Sequence, residues 1–135
     1  MKAAPKETTP GVPMNVRDEL QKIGKGIDGA LYVSLMGFDG IAIESFKDEV
    51  REAAADPELV LAEYSNAMQM VIRAAEALQA GALAEVTINT GKLVTIIRPL
   101  SAELFVAAVL DSAANFGKAR YLLRMSGPKL LAELN

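Results

Sequence analysis

The chain contains no cysteine, no histidine and no tryptophan. Each of the first two absences removes a class of chemistry. Without cysteine there is no disulfide, no thiolate nucleophile and no thiolate-bound metal. Without histidine the commonest general base and the commonest metal ligand are missing. Aromatic residues are scarce, with four Phe and three Tyr among 135 residues. Positive charge is not in excess either: 14 Lys and Arg stand against 17 Asp and Glu, a net charge of −3. Nucleic-acid binding draws on a cationic footprint and stacking rings, so it is disfavoured. No apolar run approaches the roughly 20 residues of a membrane span. The opening Met-Lys-Ala-Ala-Pro-Lys-Glu-Thr-Thr-Pro lacks the apolar stretch of a secretory leader, so the expected location is the cytoplasm.

What is present is a high hydrophobic fraction, 51%, spread over many short segments. A chain of this length can bury about two-thirds of its unfolded surface, enough for one domain with its own core. That domain is expected over 14–135, after a flexible tail over 1–13 that carries Pro5, Pro10 and Pro13. Val16, Leu20, Ile23 and Ile27 recur at helical spacing, with Asn15 as N-cap. Two apolar runs, Ala30–Met36 and Ile41–Phe46, flank Gly37-Phe38-Asp39-Gly40 and form a hairpin. Residues 47–56 are charged and small and suit a loop or a short helical turn. Asp56-Pro57 then supplies N-cap and first turn of a long helix that is expected to stop at Gly81.

On that helix Val60, Tyr64, Ala67, Val71, Ala75 and Leu78 share a stripe and are expected to face the core. Leu61, Met68 and Ile72 widen the apolar arc beyond what one sheet face needs. Glu63, Asn66, Gln69, Met70, Arg73 and Glu76 lie on the far side. Three strands follow. Ala82–Asn89 alternates, with Ala82, Ala84, Val86 and Ile88 opposite Leu83, Glu85, Thr87 and Asn89, and its polar half suits an edge. Lys92–Arg98 pairs with it. Leu104–Leu110 is apolar on both faces, so it must be central and covered on both sides. A last helix starts near Asn115, and Gly127-Pro128 is expected to kink or break it. The order α-β-β-α-β-β-β-α, with short strand connections, gives a single-domain three-layer α/β/α sandwich around a five-stranded antiparallel sheet.

Several motifs bear on chemistry. Gly24-Lys-Gly-Ile-Asp-Gly29 matches the GxGxxG spacing, but it ends a helix and precedes a strand, the reverse of a dinucleotide fingerprint. Gly-Lys at 24–25, 91–92 and 117–118 has no following Ser or Thr, so there is no P-loop. Asp48, Glu49 and Glu52 lack the spacing of a calcium loop and read as a solvated turn. Arg51 and Arg73 are the best-placed cations to reach a partner's phosphate, against the simpler reading of ordinary surface charges. No cofactor is implied.

Four stretches together resemble the Roadblock/dynein light chain family: Asp28–Val33 with Asp39–Ser45, the long helix, Arg98-Pro99-Leu100-Ser101 with Leu104–Leu110, and Asn115-Phe116-Gly117-Lys118-Ala119-Arg120. The resemblance spans roughly residues 15–134. It implies a profilin-like sheet with the first and fifth strands inside and the second and third at the edges. It implies a homodimer through the long helix and third strand, with Leu61, Met68, Ile72, Leu83, Glu85, Thr87 and Asn89 at the contact. It also implies a non-enzymatic role, regulating or scaffolding a small Ras-like GTPase, with Glu63, Asn66, Met70 and Arg73 as the face offered to it. The alternatives are a pure assembly platform, without effect on nucleotide hydrolysis, and a small-ligand sensor.

Overall fold

The computed structural model describes residues 14–134, with side chains from Val16 onward; the tail expected over 1–13 lies outside the described residues. The elements run α1 (Met14–Gly26), β1 (Ala30–Gly37), β2 (Ala42–Lys47), α2 (Pro57–Ala77), β3 (Val86–Asn89), β4 (Leu93–Pro99), β5 (Leu104–Asp111) and α3 (Phe116–Leu134). The strands form one sheet in the order β2-β1-β5-β4-β3, and every neighbouring pair is antiparallel. The expected element order, the interior place of β1 and β5, and the edge positions of β2 and β3 are all present.

The doubly apolar strand explains the layering. Val106, Ala108 and Leu110 of β5 point into a core shared with Val16, Leu20 and Ile23 of α1 and with Ala119, Leu123 and Leu130 of α3. Phe105, Ala107 and Val109 point the other way, against Leu61 and Met68 of α2. An alternating strand with no polar side leaves no face for water, so helices must cover both. In β1 a register shift between Ala30 and Tyr32 opposite β5 accompanies the change of face. Leu31 and Tyr32 both join the α2-side core, while Ala30 and Val33 join the other.

The β1–β2 turn is closed by Gly40 N–H donating to Gly37 O at 3.0 Å. Gly40 has φ +88°, which a side chain would resist. Asp39 Oδ1 accepts from Ile41 N at 3.1 Å. Between them Phe38 folds inward, its ring centroid 5.0 Å from that of Phe105.

Four local expectations need correction. Helix α1 begins at Met14, so Asn15 lies within its first turn rather than ahead of it. Helix α2 ends at Ala77 with Leu78 as its cap, and Gln79 takes the left-handed conformation at φ 54° before Gly81 is reached. Strand β3 has only four residues; 82–85 stay outside the ladder. Helix α3 runs unbroken through Gly127-Pro128. Pro128 faces solvent, while Gly127 is buried, where an added Cβ would lie 3.0 Å from Leu100. Glycine there lets the helix seat closely on the sheet.

The largest correction concerns the inward side of α2. Its buried residues are Pro57, Leu61, Ser65 and Met68. The stripe expected to face the core does so only in part: Val60 and Tyr64 are half-buried against it, but Ala67 is exposed, Val71 is 39% exposed and Leu78 is 77% exposed. The arc judged surplus is the core contact.

Candidate functional site

The site is built on α2 and the sheet margins beside it. Asp56 Oδ1 accepts from Glu58 N at 3.0 Å, capping one free amide of the first turn, and Pro57 at the start of the helix has no amide to satisfy. Burial of Leu61 and Met68 fixes its rotation. At about 100° per residue, Glu63, Asn66, Met70 and Arg73 then fall together on the side turned away from the sheet, and all four are exposed. Met70 is 68% exposed and Leu59, on the same side, 58%.

The two flanks of the helix differ. Gln69 Nε2 donates to Phe38 O at 3.0 Å, tying one flank to the β1–β2 turn. On that flank Phe38, Ile41, Ile43, Ile72, Arg73 and Leu104 help to line an open groove of about 580 Å³. The opposite flank carries Val60, Tyr64, Ala67, Val71 and Leu78 and faces the β3 margin. Here Val86 and Ile88 pack inward against the α2-side core, leaving Thr87 and Asn89 exposed on the other face of the strand. Thr90 N donates to Leu93 O at 3.0 Å at the turn between β3 and β4. Antiparallel alternation then aims the Ile88 amide at β4 and the Thr87 and Asn89 amides at the open edge.

The residues expected at a dimer contact separate. Leu61 and Met68 lie inside the protomer, 0% and 1% exposed, and have no surface for a second copy. Their burial follows from the helix rotation described above. Ile72 and Leu83 are half-buried against the same core. Glu85 accepts from Arg120 Nε at 2.6 Å and lies 3.9 Å from Arg98. Thr87 and Asn89 are exposed at the edge.

The two candidate arginines also separate. The Arg51 guanidinium is shared among Asp28 at 3.1 Å, Asp48 at 3.7 Å and Asp111 at 3.8 Å. Asp48 in turn accepts the amides of Val50 and Arg51 at 2.9 and 3.0 Å. Those amide bonds, aided by the guanidinium, hold its carboxyl below the ordinary carboxylate range. Arg51 therefore fastens the 48–56 loop to the ends of β1 and β5. Arg73 has no carboxylate within ion-pair distance among the described residues. Among those residues, no three acidic side chains are arranged to hold a metal ion. No helix there is long and apolar enough to cross a membrane.

The motif that opens α3 also acquires a physical basis. Asn115 Oδ1 accepts from Lys118 N at 3.0 Å, as a helix cap does. Arg120, five residues on, reaches Glu85 and ties α3 to the segment before β3. What sequence reasoning missed was the groove and the outward apolar flank. Ile41, Ile43, Val71 and Leu78 signal both by being apolar, but only the fold shows them exposed.

No protein-family model matches the chain, and no curated protein matches it. The solved structure of MglC from Myxococcus xanthus is 38% identical, covering 89% of this chain and 99% of that one, with a TM-score of 0.65. The gliding protein MglB from Thermus thermophilus superposes with a TM-score of 0.77 at 13% identity, over 98% of this chain and 93% of that one. A Roadblock/LC7 domain from Streptomyces avermitilis gives a TM-score of 0.72 at 12% identity, over 87% of this chain and 96% of that one. The latter two share the fold; MglC adds kinship in sequence over nearly its whole length. With that identity over most of this chain and the shared fold, the chain belongs to the Roadblock/LC7 family.

Proposed function

We propose that this protein is a homodimeric, non-enzymatic regulator or scaffold in a small Ras-like GTPase system, acting in the cytoplasm. The observation that carries the reading is the outward side of α2. Glu63, Asn66, Met70 and an Arg73 with no carboxylate partner among the described residues form one exposed face beside an open strand edge. A mixed surface with an adaptable methionine and a free cation suits a conformationally variable protein partner better than a small ligand. Binding there biases the partner's switch segments by contact, as an interface does when it favours one of two states.

The homodimer joins β3 to β3, with Thr87 and Asn89 offering their edge amides. The helix contact comes from Ala67, Val71 and Leu78, since Leu61 and Met68 are internal. Leu83 and Glu85 remain near that contact, Glu85 already engaged with Arg120. The contrast between the two sheet edges supports this choice. Strand β2 carries an irregularity, with Leu35 opposite Glu44 but Met36 opposite Ala42. An extra residue of that kind blunts an edge. Strand β3 is regular and flanked by exposed apolar helix surface. The MglB structure described as a tetrameric arrangement is a relative in fold that associates further. A pure assembly platform is favoured by the same surfaces if the GTPase rate does not respond.

The deciding experiment is single-turnover GTP hydrolysis by the small GTPase that co-purifies with the protein, measured with and without the full chain. A regulator changes the rate, and Arg73→Ala reverses much of that change. Tight binding with an unchanged rate removes the regulatory role and leaves the platform. Absence of any small GTPase among co-purifying proteins overturns both GTPase-linked readings.

A further inference from the structure

We propose that the outward face of α3 docks an acidic amphipathic helix of a partner protein. This surface lies across the sheet from α2, so the proposal does not rest on the reading above. Tyr121, Met125, Pro128 and Ala132 follow at steps of four, three and four, which places them in one row along the helix. Tyr121 and Met125 are 51% and 47% exposed. Lys118 and Lys129 border one side of the row and Arg124 the other. The Arg124 guanidinium lies 5.6 Å from the Tyr121 ring centroid, in the geometry of a cation–π contact.

Charge identifies the occupant. Helix α3 carries Lys118, Arg120, Arg124 and Lys129 against Glu133, four cations to one acid, in a chain whose net charge is −3. Arg120 is paired with Glu85. Among the described residues, Lys118, Arg124 and Lys129 have no carboxylate within ion-pair distance. Three unpaired cations around an apolar row are complementary to a helix with aliphatic residues at i and i+4 flanked by Glu or Asp. The row is too narrow for a membrane surface, where an interfacial helix buries a broad apolar face. It has one aromatic where a nucleic-acid strand needs several stacking platforms.

The test uses the full chain and a synthetic amphipathic peptide of about 20 residues, long enough to be helical. Leu forms one row of the peptide and Glu its flanks. The control is a scrambled peptide of identical composition. Fluorescence anisotropy should show the amphipathic peptide binding at least about tenfold tighter than the scrambled one, with affinity falling as salt rises. Lys118→Glu, Arg124→Glu and Lys129→Glu combined should weaken it at least about tenfold without moving the thermal midpoint by more than about 2 °C, because all three side chains are exposed. Tyr121→Ala with Met125→Ala should weaken it about threefold or more. Equal binding of the two peptides, or indifference to the charge reversal, overturns the proposal. So does adsorption of the chain to phosphatidylglycerol vesicles without binding of the amphipathic peptide, which would make the face a lipid surface.

Discussion

Leu61 and Met70 are both large apolar residues on α2, and they sit on opposite sides of it. Leu61 is 0% exposed against Phe105, Ala107 and Val109 of the central strand, whereas Met70 is 68% exposed. Removing the Leu61 side chain leaves a cavity that the sheet beneath cannot close, because its strands are held by neighbours on both sides. Leu61→Ala should therefore cost about 2–5 kcal/mol in chemical denaturation. Met70→Ala should change stability by less than about 0.5 kcal/mol. Equal costs at the two positions would mean that the helix is rotated from the orientation described. The same pair separates fold from function: Met70→Ala should weaken association with a partner on this face while leaving the chain folded.

At the scale of elements, legibility tracks how many partners an element has. Strand β5 is readable because its neighbours lie within the chain on every side, and apolar residues on both of its faces admit no other place. Helix α2 is readable in existence and start, since Asp56-Pro57 acts locally, but not in rotation. Its apolar arc covers both an intramolecular and an outward surface. Val60, Tyr64, Ala67, Val71, Ala75 and Leu78 outnumber Leu61, Met68 and Ile72, and periodicity does not distinguish the two surfaces. Its end is misplaced by sequence because Gln79 adopts the left-handed conformation two residues before Gly81. Strand β3 is overextended because Ala82 and Ala84 alternate correctly but add little strand preference. The groove beside β2 is invisible in sequence because its walls come from a turn, a helix and the start of β5. The short β3 also bears a prediction. Thr87 has its amide aimed away from β4, so Thr87→Pro removes an edge donor without removing a ladder bond. Sedimentation should show the variant as a monomer at a concentration where the parent is a dimer, while far-ultraviolet circular dichroism stays nearly unchanged. A variant that still dimerises would move the interface away from β3.

For the whole molecule, the proposed dimer couples stability to concentration. A monomeric domain unfolds at a midpoint independent of its concentration. A dimer that separates as it unfolds does not, because dilution favours the dissociated chains by mass action. A hundredfold rise in concentration adds about 2.7 kcal/mol per dimer from the logarithmic concentration dependence. Unfolding entropy is about 2.1 cal/mol/K per residue, and each protomer has 135 residues. Two protomers unfolding together then convert that increment into a rise of about 5 °C in the midpoint. Scanning calorimetry from low to high micromolar concentration should show this rise for the parent and none for Thr87→Pro. A concentration-independent midpoint for both would show that β3 and the outward flank of α2 are not joined to a second copy. The apolar surface of Val71 and Leu78 would then be available to a different protein.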